Sequence, residues 1–307
     1  MKRDFISLAD YTADEILALL DLADRLKKML RDGKPHDLLA GKTLALIFEK
    51  PSLRTRLTFQ IGIYQLGGYS VVIDDVLGRR EAVKDVARNL ERWVDGIMAR
   101  TYRHEHVVEL ARSARVPVIN ALTDLLHPCQ ILADAQTLRE HKGGDFSSLK
   151  LAFVGDGNNV FHSWVNFARR IPLNLVLTCP PGYEGHPDIV KLGKAECRGT
   201  LTITHDPAEG LRDADAVYTD VWASMGQEAE AEKRAEIFAP YQVNAAMMSL
   251  AKPDALFMHC LPAHRGQEVT DEVIDGPNSV VYNQAENRLH AQKAVMAMLM
   301  GEHFPTF

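Results

Sequence analysis

LKLAFVGDGNNV, residues 149–160, reads as a short apolar strand that runs into a glycine turn and then into a helix. Strand, tight turn and helix in immediate succession are the unit from which parallel sheets are built. On the C-terminal side the same alternation predicts strands at 174–178, 201–204, 216–219, 255–258 and 280–282, with helical patterns between them. A final apolar helix over 285–300 carries Leu289, Ala294, Met296 and Leu299. On the N-terminal side it predicts strands at 43–48, 70–74, 96–100 and 116–120. The helices there fall at 12–31, 54–66 (closed by Gly67-Gly68), 83–94 and 131–141. In the third of these, Val83, Val86, Leu90 and Val94 recur at steps of three and four and give one apolar face. The fold class is therefore α/β, two doubly wound domains with mainly parallel sheets joined by interdomain helices. His141-Lys142-Gly143-Gly144-Asp145 reads as the hinge. It separates residues 1–141, completed by 286–307, from residues 145–285.

Composition narrows the partners. Lys and Arg number 35 against 41 Asp and Glu, a formal charge of -6, so no basic excess is available for a polyanion. No apolar run reaches about 18 residues, and acids interrupt the first twenty where a signal peptide needs an unbroken apolar stretch; no membrane span and no leader are expected. Cys129, Cys179, Cys197 and Cys260 are far apart and form no C-x-x-C pair, which points to a reducing, cytoplasmic setting.

Six segments carry chemistry. Lys50-Pro51-Ser52-Leu53-Arg54-Thr55-Arg56 lies where a strand ends and a helix begins; free N–H groups, the Ser52 and Thr55 hydroxyls and the Arg54 guanidinium suit a phosphate. An N-cap followed by solvated arginines is the other reading. Arg100 ends a strand, and His127-Pro128-Cys129-Gln130 opens a helix; at the carboxyl edge of a sheet these side chains could hold a carbonyl oxygen. The Gly155-Asp156-Gly157-Asn158-Asn159-Val160 turn is like a dinucleotide fingerprint, but Val160 replaces the third glycine. No ribose-binding acid follows about 20 residues on, which argues against a nucleotide-dependent oxidoreductase.

Asp220, in Asp220-Val221-Trp222-Ala223-Ser224-Met225-Gly226-Gln227, suits an ammonium, and with Asn159 and the Ser-Met-Gly turn could grip an amino-acid zwitterion; it could equally cap a helix. His259-Cys260-Leu261-Pro262 ends a strand, and Glu286-Asn287-Arg288 opens the last helix. Cys260 has no base or ligand at a telling spacing, and neither His104/His106 nor His259/His264 makes a zinc set, so no metal is expected.

In order and spacing these motifs resemble the ornithine carbamoyltransferase family, within the aspartate/ornithine carbamoyltransferase superfamily, from about Phe5 to the last helix. The aspartate enzymes usually carry His-Pro-Leu-Pro in place of His259-Cys260-Leu261-Pro262 and lack the Ser-Met-Gly turn; putrescine and N-acylornithine relatives differ at that turn. The resemblance implies carbamoyl transfer from carbamoyl phosphate to the δ-amine of L-ornithine, giving citrulline and phosphate, with no cofactor. Ser52, Leu53 (through its N–H), Arg54 and Thr55 would bind the phosphate, and Arg100, His127 and Gln130 would polarise the carbamoyl carbonyl. Asn159, Asp220, Ser224 and Met225 would hold ornithine, and Cys260, Leu261 and Arg288 would surround the reacting centre. At position 53 the family usually has Thr, so Leu53 keeps an N–H and loses a hydroxyl. The resemblance also implies a homotrimer or a multiple of trimers, in which a loop of one subunit, here Gly78-Arg79-Arg80-Glu81, reaches into the next. The rivals are a carbamoyltransferase for putrescine, N-acylornithine or lysine, and a non-catalytic homologue, which should have lost Arg54, His127, Cys260 or Arg288.

Overall fold

A computed structural model describes residues 2–223 and 228–301, so Ser224 and Met225 lie outside the described residues. The chain divides into two compact units, one running through Gln136 and resuming at Glu286, the other spanning Thr137–Ala285. The first unit holds strands β1 (Thr43–Phe48), β2 (Tyr69–Asp74), β3 (Gly96–Arg100) and β4 (Val118–Leu122). Its helices are α1 (Ala13–Arg31), α2 (Leu53–Gln65), α3 (Val83–Leu90), α4 (His104–Ser113) and the start of α5 (Pro128–Lys142). The second holds β5 (Lys150–Val154), β6 (Asn174–Thr178), β7 (Thr200–Thr204), β8 (Ala216–Thr219) and β9 (Leu256–His259). Helices α6 (Asn159–Ala168), α7 (Pro187–Glu196), α8 (Pro207–Leu211), α9 (Ala231–Phe238), α10 (Ala245–Met248) and α11 (Asp271–Ile274) belong to it. The chain passes between units inside α5 and again inside α12 (Val281–Met300); the Gly143 turn, at φ +89°, follows the end of α5.

Both sheets are wholly parallel, in the orders β2-β1-β3-β4 and β7-β6-β5-β8-β9. In each, the chain builds outward from the middle in one direction and then returns to build in the other. The reversal lies between β1 and β3 in the first sheet and between β5 and β8 in the second. Ligands of open α/β sheets bind outside the carboxyl ends of the strands at such a reversal. The Ser52–Thr55 turn follows β1 and Arg100 ends β3; the Gly155–Asn158 turn follows β5 and Asp220 follows β8.

Local chemistry explains the frame. Thr12 and Glu15 form a reciprocal capping box at the start of α1 (Glu15 N–H to Thr12 Oγ1 3.3 Å, Thr12 N–H to Glu15 Oε2 2.8 Å), worth about 1 kcal/mol. Ile16, Leu19, Leu20, Ala23 and Leu26 then bury one face at helical spacing. Strand β1 buries every residue from Leu44 to Phe48, as a central parallel strand must.

Three expectations need correction. Residues 280–282 are not a strand: α12 already begins at Val281, and only Ser279 bridges to Phe257 while Val280 N–H donates to the Phe257 carbonyl at 3.0 Å. The β-branched pair satisfies its preference for burial by packing Val281 into the core with Val154, Val217 and Phe257. The fourth strand starts two residues late because Pro117 has no N–H for a ladder; Val118 N–H instead donates to Asp4 at 2.8 Å. The helix expected over 83–94 stops at Leu90.

Helix α12 buries His290 almost completely. Burial, then the nearby charge of Lys293 and Lys27, pushes its imidazole down to about 3, against an ordinary 6.5. Folded protein keeps this histidine neutral, whereas the unfolded chain takes up its proton as pH falls through 6.5. Unfolding therefore gains from acid, and stability should fall by about 2 kcal/mol between pH 7 and pH 5 on this account. Urea unfolding at the two pH values should show that loss in the wild type and not in His290→Gln; parallel losses in both would refute it.

Candidate active site

In the first unit Ser52 is the N-cap residue of α2 but its hydroxyl makes no capping bond, so the first turn's N–H groups are not served by it. Leu53 turns its side chain outward, 72% exposed, leaving only its backbone to the turn. Thr55 is fully buried and accepts a hydrogen bond from Arg288 Nη2 at 2.7 Å, retaining its own proton to donate. This bond joins α2 to α12 across 233 residues of sequence.

His127 is buried and precedes Pro128, the first residue of α5; its carbonyl accepts from Gln130 N–H at 3.1 Å. Burial, then the charges of Arg288, Arg100 and Arg54, holds its imidazole well below the usual histidine range. That electrostatic effect brings together four predicted residues drawn from a turn, a strand end and two helices. Such a site favours an anion and keeps His127 neutral, able to donate one ring N–H. Cys129 is no nucleophile, since burial raises its thiol to about 12.

Gln130 has its amide orientation fixed by one neighbour. Its Nε2 donates to Asp134 Oδ1 at 2.8 Å, and because a carboxylate only accepts, the nitrogen must face it. The fully buried Oε1 has no hydrogen-bond partner among the described residues. Gln130 thus offers an acceptor as well as the second N–H of its amide.

In the second unit Asp220 is buried and accepts three hydrogen bonds: from Asn158 Nδ2 at 2.7 Å, Val221 N–H at 2.8 Å and the Cys260 thiol at 3.0 Å. The partner missing for Cys260 in sequence is thus 40 residues away, on the neighbouring strand end. Asn159 opens α6 and is buried. Asn158, missed in the sequence, caps α6 through Oδ1 (Val160 N–H 2.9 Å, Phe161 N–H 3.2 Å) while its amide holds Asp220; an Asn before an apolar helix was the available signal. Leu261 takes φ +58°, and its N–H donates to His259 Nδ1 at 2.8 Å. Also missed were Asp156 and Arg234, a buried ion pair in which Arg234 further donates to the Trp222 carbonyl and lies over Tyr183 and Phe238, 4.9 and 5.2 Å from the ring centroids. Burial pushes the Asp156 carboxyl up to about 6 despite Arg234.

Ligand atoms of Asp220, His259 and Cys260 lie within 4.8 Å of one another. His259, however, spends Nδ1 on Leu261 and places Nε2 3.2 Å from Glu268 Oε1. The remaining carboxylate and thiol fall short of a tetrahedral metal set. The turn after β5 is also poorly placed for a dinucleotide. There the second glycine normally admits a pyrophosphate, whereas a Cβ on Gly157 would meet Gly185 N at 2.5 Å. The chain's own backbone takes that approach.

A two-domain parallel α/β protein, with an anion-favouring cluster at the reversal of its first sheet and a buried carboxylate at that of its second, is the class that these sheets and strand-end residues define. Residues 3–140 match the family model described as aspartate/ornithine carbamoyltransferase, carbamoyl-P binding domain, and residues 147–299 the one described as aspartate/ornithine carbamoyltransferase, Asp/Orn binding domain. The chain belongs to the aspartate/ornithine carbamoyltransferase family. It is 55% identical to the ornithine carbamoyltransferase of Thermococcus kodakarensis over 305 residues, covering 97% of this chain and 96% of that one. To the anabolic ornithine carbamoyltransferase of Pyrococcus furiosus it is 53% identical with the same coverage. A solved structure of ornithine carbamoyltransferase from Pyrococcus furiosus superimposes with a TM-score of 0.94 at 52% identity, over 98% of each chain.

Proposed function

We infer that this protein is an enzyme that transfers the carbamoyl group of carbamoyl phosphate to the δ-amine of L-ornithine, forming L-citrulline and phosphate for arginine synthesis. The observation that carries the reading is the three-arginine environment of His127 at the start of α5, together with relatives of more than half identity that bear this activity's name. The Ser52 and Thr55 hydroxyls, the N–H of Leu53 and Arg54 bind the phosphate; Arg100 and His127 donate to the carbamoyl oxygen. Gln130, with its unused acceptor, takes the carbamoyl amide N–H rather than joining them.

Asp220, Asn159, Ser224 and the Met225 backbone hold the acceptor's α-ammonium and α-carboxylate. An alkyl ammonium with a pKa near 10.4 must first lose a proton to attack, and Cys260 lies beside its path, its thiol held by Asp220. The amine nitrogen bonds to the carbonyl carbon; Arg100 and His127 stabilise the oxyanion of the tetrahedral adduct. The bond from carbon to the bridging oxygen then breaks, and phosphate leaves with the amine's proton. Arg288, through Thr55, and the Leu261 carbonyl orient the donor. No cofactor or metal takes part in this scheme.

We also propose a homotrimer, or a multiple of it, working in the cytoplasm. The apolar stripe of Leu53, Leu57, Ile61 and Tyr64 along α2, with Tyr69 and Val71 on the edge strand β2 and an exposed Trp93, supports self-association. Four free cysteines support a reducing compartment, and no helix among the described residues is long and apolar enough to cross a membrane.

The test is product formation from carbamoyl phosphate with L-ornithine, putrescine, N-acetylornithine, L-lysine and L-aspartate in parallel. Ornithine should be the sole good acceptor. Turnover with another amine would overturn the acceptor assignment, and none with any would leave a non-catalytic homologue.

A further inference from the structure

The strand that delivers Arg100 loses its regular pairing at that residue. Ile97, Met98 and Ala99 pair with Val118, Ile119 and Asn120, but Arg100 pairs with Leu122, so Ala121 is an extra residue and the ladder shifts. Bulges of this kind bend strands and re-aim side chains beside functional sites. A re-aimed side chain needs something to fix its new direction. On the other side of the strand stands Glu49, whose side chain is 1% exposed.

Glu49 engages the exit of β3 twice. Its N–H donates to the Arg100 carbonyl at 3.0 Å, and its Oε2 accepts the Tyr102 N–H at 2.6 Å. Its Oε1 accepts the Leu77 N–H at 2.9 Å and lies 3.3 Å from His106 Nδ1. We propose that Glu49 is a positioning residue for Arg100: by clasping the backbone on both sides of Thr101 it sets the direction in which the Arg100 guanidinium leaves β3, opposite the bulge in β4. The Leu77 bond holds the loop that begins at Gly78 to the same carboxylate. Both backbone donors sit on different oxygens, so glutamine, with one acceptor, cannot serve both whichever way its amide is turned. This proposal rests on the reading that Arg100 contacts the carbamoyl group.

A double-mutant cycle with two probes tests it: inorganic phosphate, and phosphonoacetamide, in which a methylene joins the phosphonate to a carboxamide. Calorimetric affinities would be measured for the unsubstituted protein, Glu49→Gln, Arg100→Ala and the double variant, with thermal midpoints recorded for all four. Glu49→Gln should weaken phosphonoacetamide by about tenfold and phosphate by less than about threefold, and in the Arg100→Ala background it should change neither by more than about twofold. A general loss of structure would weaken both probes alike. Unchanged affinity in Glu49→Gln, or the same tenfold loss persisting without Arg100, overturns the proposal. Should Glu49→Gln not fold, Glu49→Asp, which keeps both oxygens on a shorter stem, enters the same cycle. Failure of the carbamoyl-transfer reading would look different, as no phosphonoacetamide binding by the unsubstituted protein, and would take this proposal with it.

Discussion

Arg54→Ala is expected to lower kcat/KM for carbamoyl phosphate by about 10³-fold while leaving the fold intact. The reason starts with the helix. Arg54 is the second residue of α2, whose first turn contains no acid. A helix N-terminus repels cations and favours anions, so a guanidinium there works against the helix unless an anion comes to it. Arg56, two residues on, is differently employed: it pairs with Asp74 and lies over the Phe48 ring, 4.8 Å from its centroid. Arg54 instead adds its charge to that of Arg288 and Arg100 around His127. Crowding three like charges is costly, and a phosphate relieves the repulsion as it binds. Inorganic phosphate should therefore raise the thermal midpoint of the wild type and not of Arg54→Ala. Arg56→Ala should show the reverse pattern, with a lower midpoint but a preserved response to phosphate. Equal kcat/KM in Arg54→Ala and wild type would remove the turn from the phosphate site.

The contrast between these arginines shows what a sequence conveys. Alternation of short apolar runs with helical patterns carried the parallel α/β fold, because burial on both faces makes such strands apolar throughout. Strand ends were readable for the same reason: an apolar run that stops at Arg100, Asp220 or His259 marks the carboxyl edge, where ligands bind. Periodicity does not carry pairing between distant segments. The Cys260 thiol meets Asp220 only because β9 lies beside β8, and Arg288 meets Thr55 only through the return of α12 to the first unit. Polarity within a side chain is equally hidden, as Gln130 shows: Asp134, one helical turn on, takes one of its two amide N–H groups and leaves its acceptor unpartnered among the described residues. At Val280 and Val281, local preference pointed to a strand and core packing decided otherwise.

Asp220→Asn is the other large effect expected, a fall of about 10³-fold in kcat/KM for ornithine with KM for carbamoyl phosphate changed by less than about threefold. Oδ2 serves Asn158, and Oδ1 serves both Val221 N–H and the Cys260 thiol. Asparagine has a single acceptor oxygen. Turned one way, its NH2 confronts the Asn158 amide; turned the other, it confronts the backbone N–H and the thiol. Either orientation strands a buried donor, at about 1–3 kcal/mol, and the substitution also removes the negative charge to which the proposed function assigns the substrate ammonium. Asn158→Ala keeps that charge while freeing one oxygen, and should cost only about tenfold. Steady-state kinetics across pH separates two roles for Asp220. An anchor for the α-ammonium predicts a raised KM for ornithine at every pH with kcat little altered. A group that draws the proton from the δ-amine predicts a fallen kcat that recovers as alkali deprotonates the amine in solution. Cys260→Ala sharpens the choice, because it frees Oδ1 of its thiol without touching the charge: loss of kcat there would put the thiol beside the reacting amine, and a loss confined to ornithine affinity would make it part of the anchor.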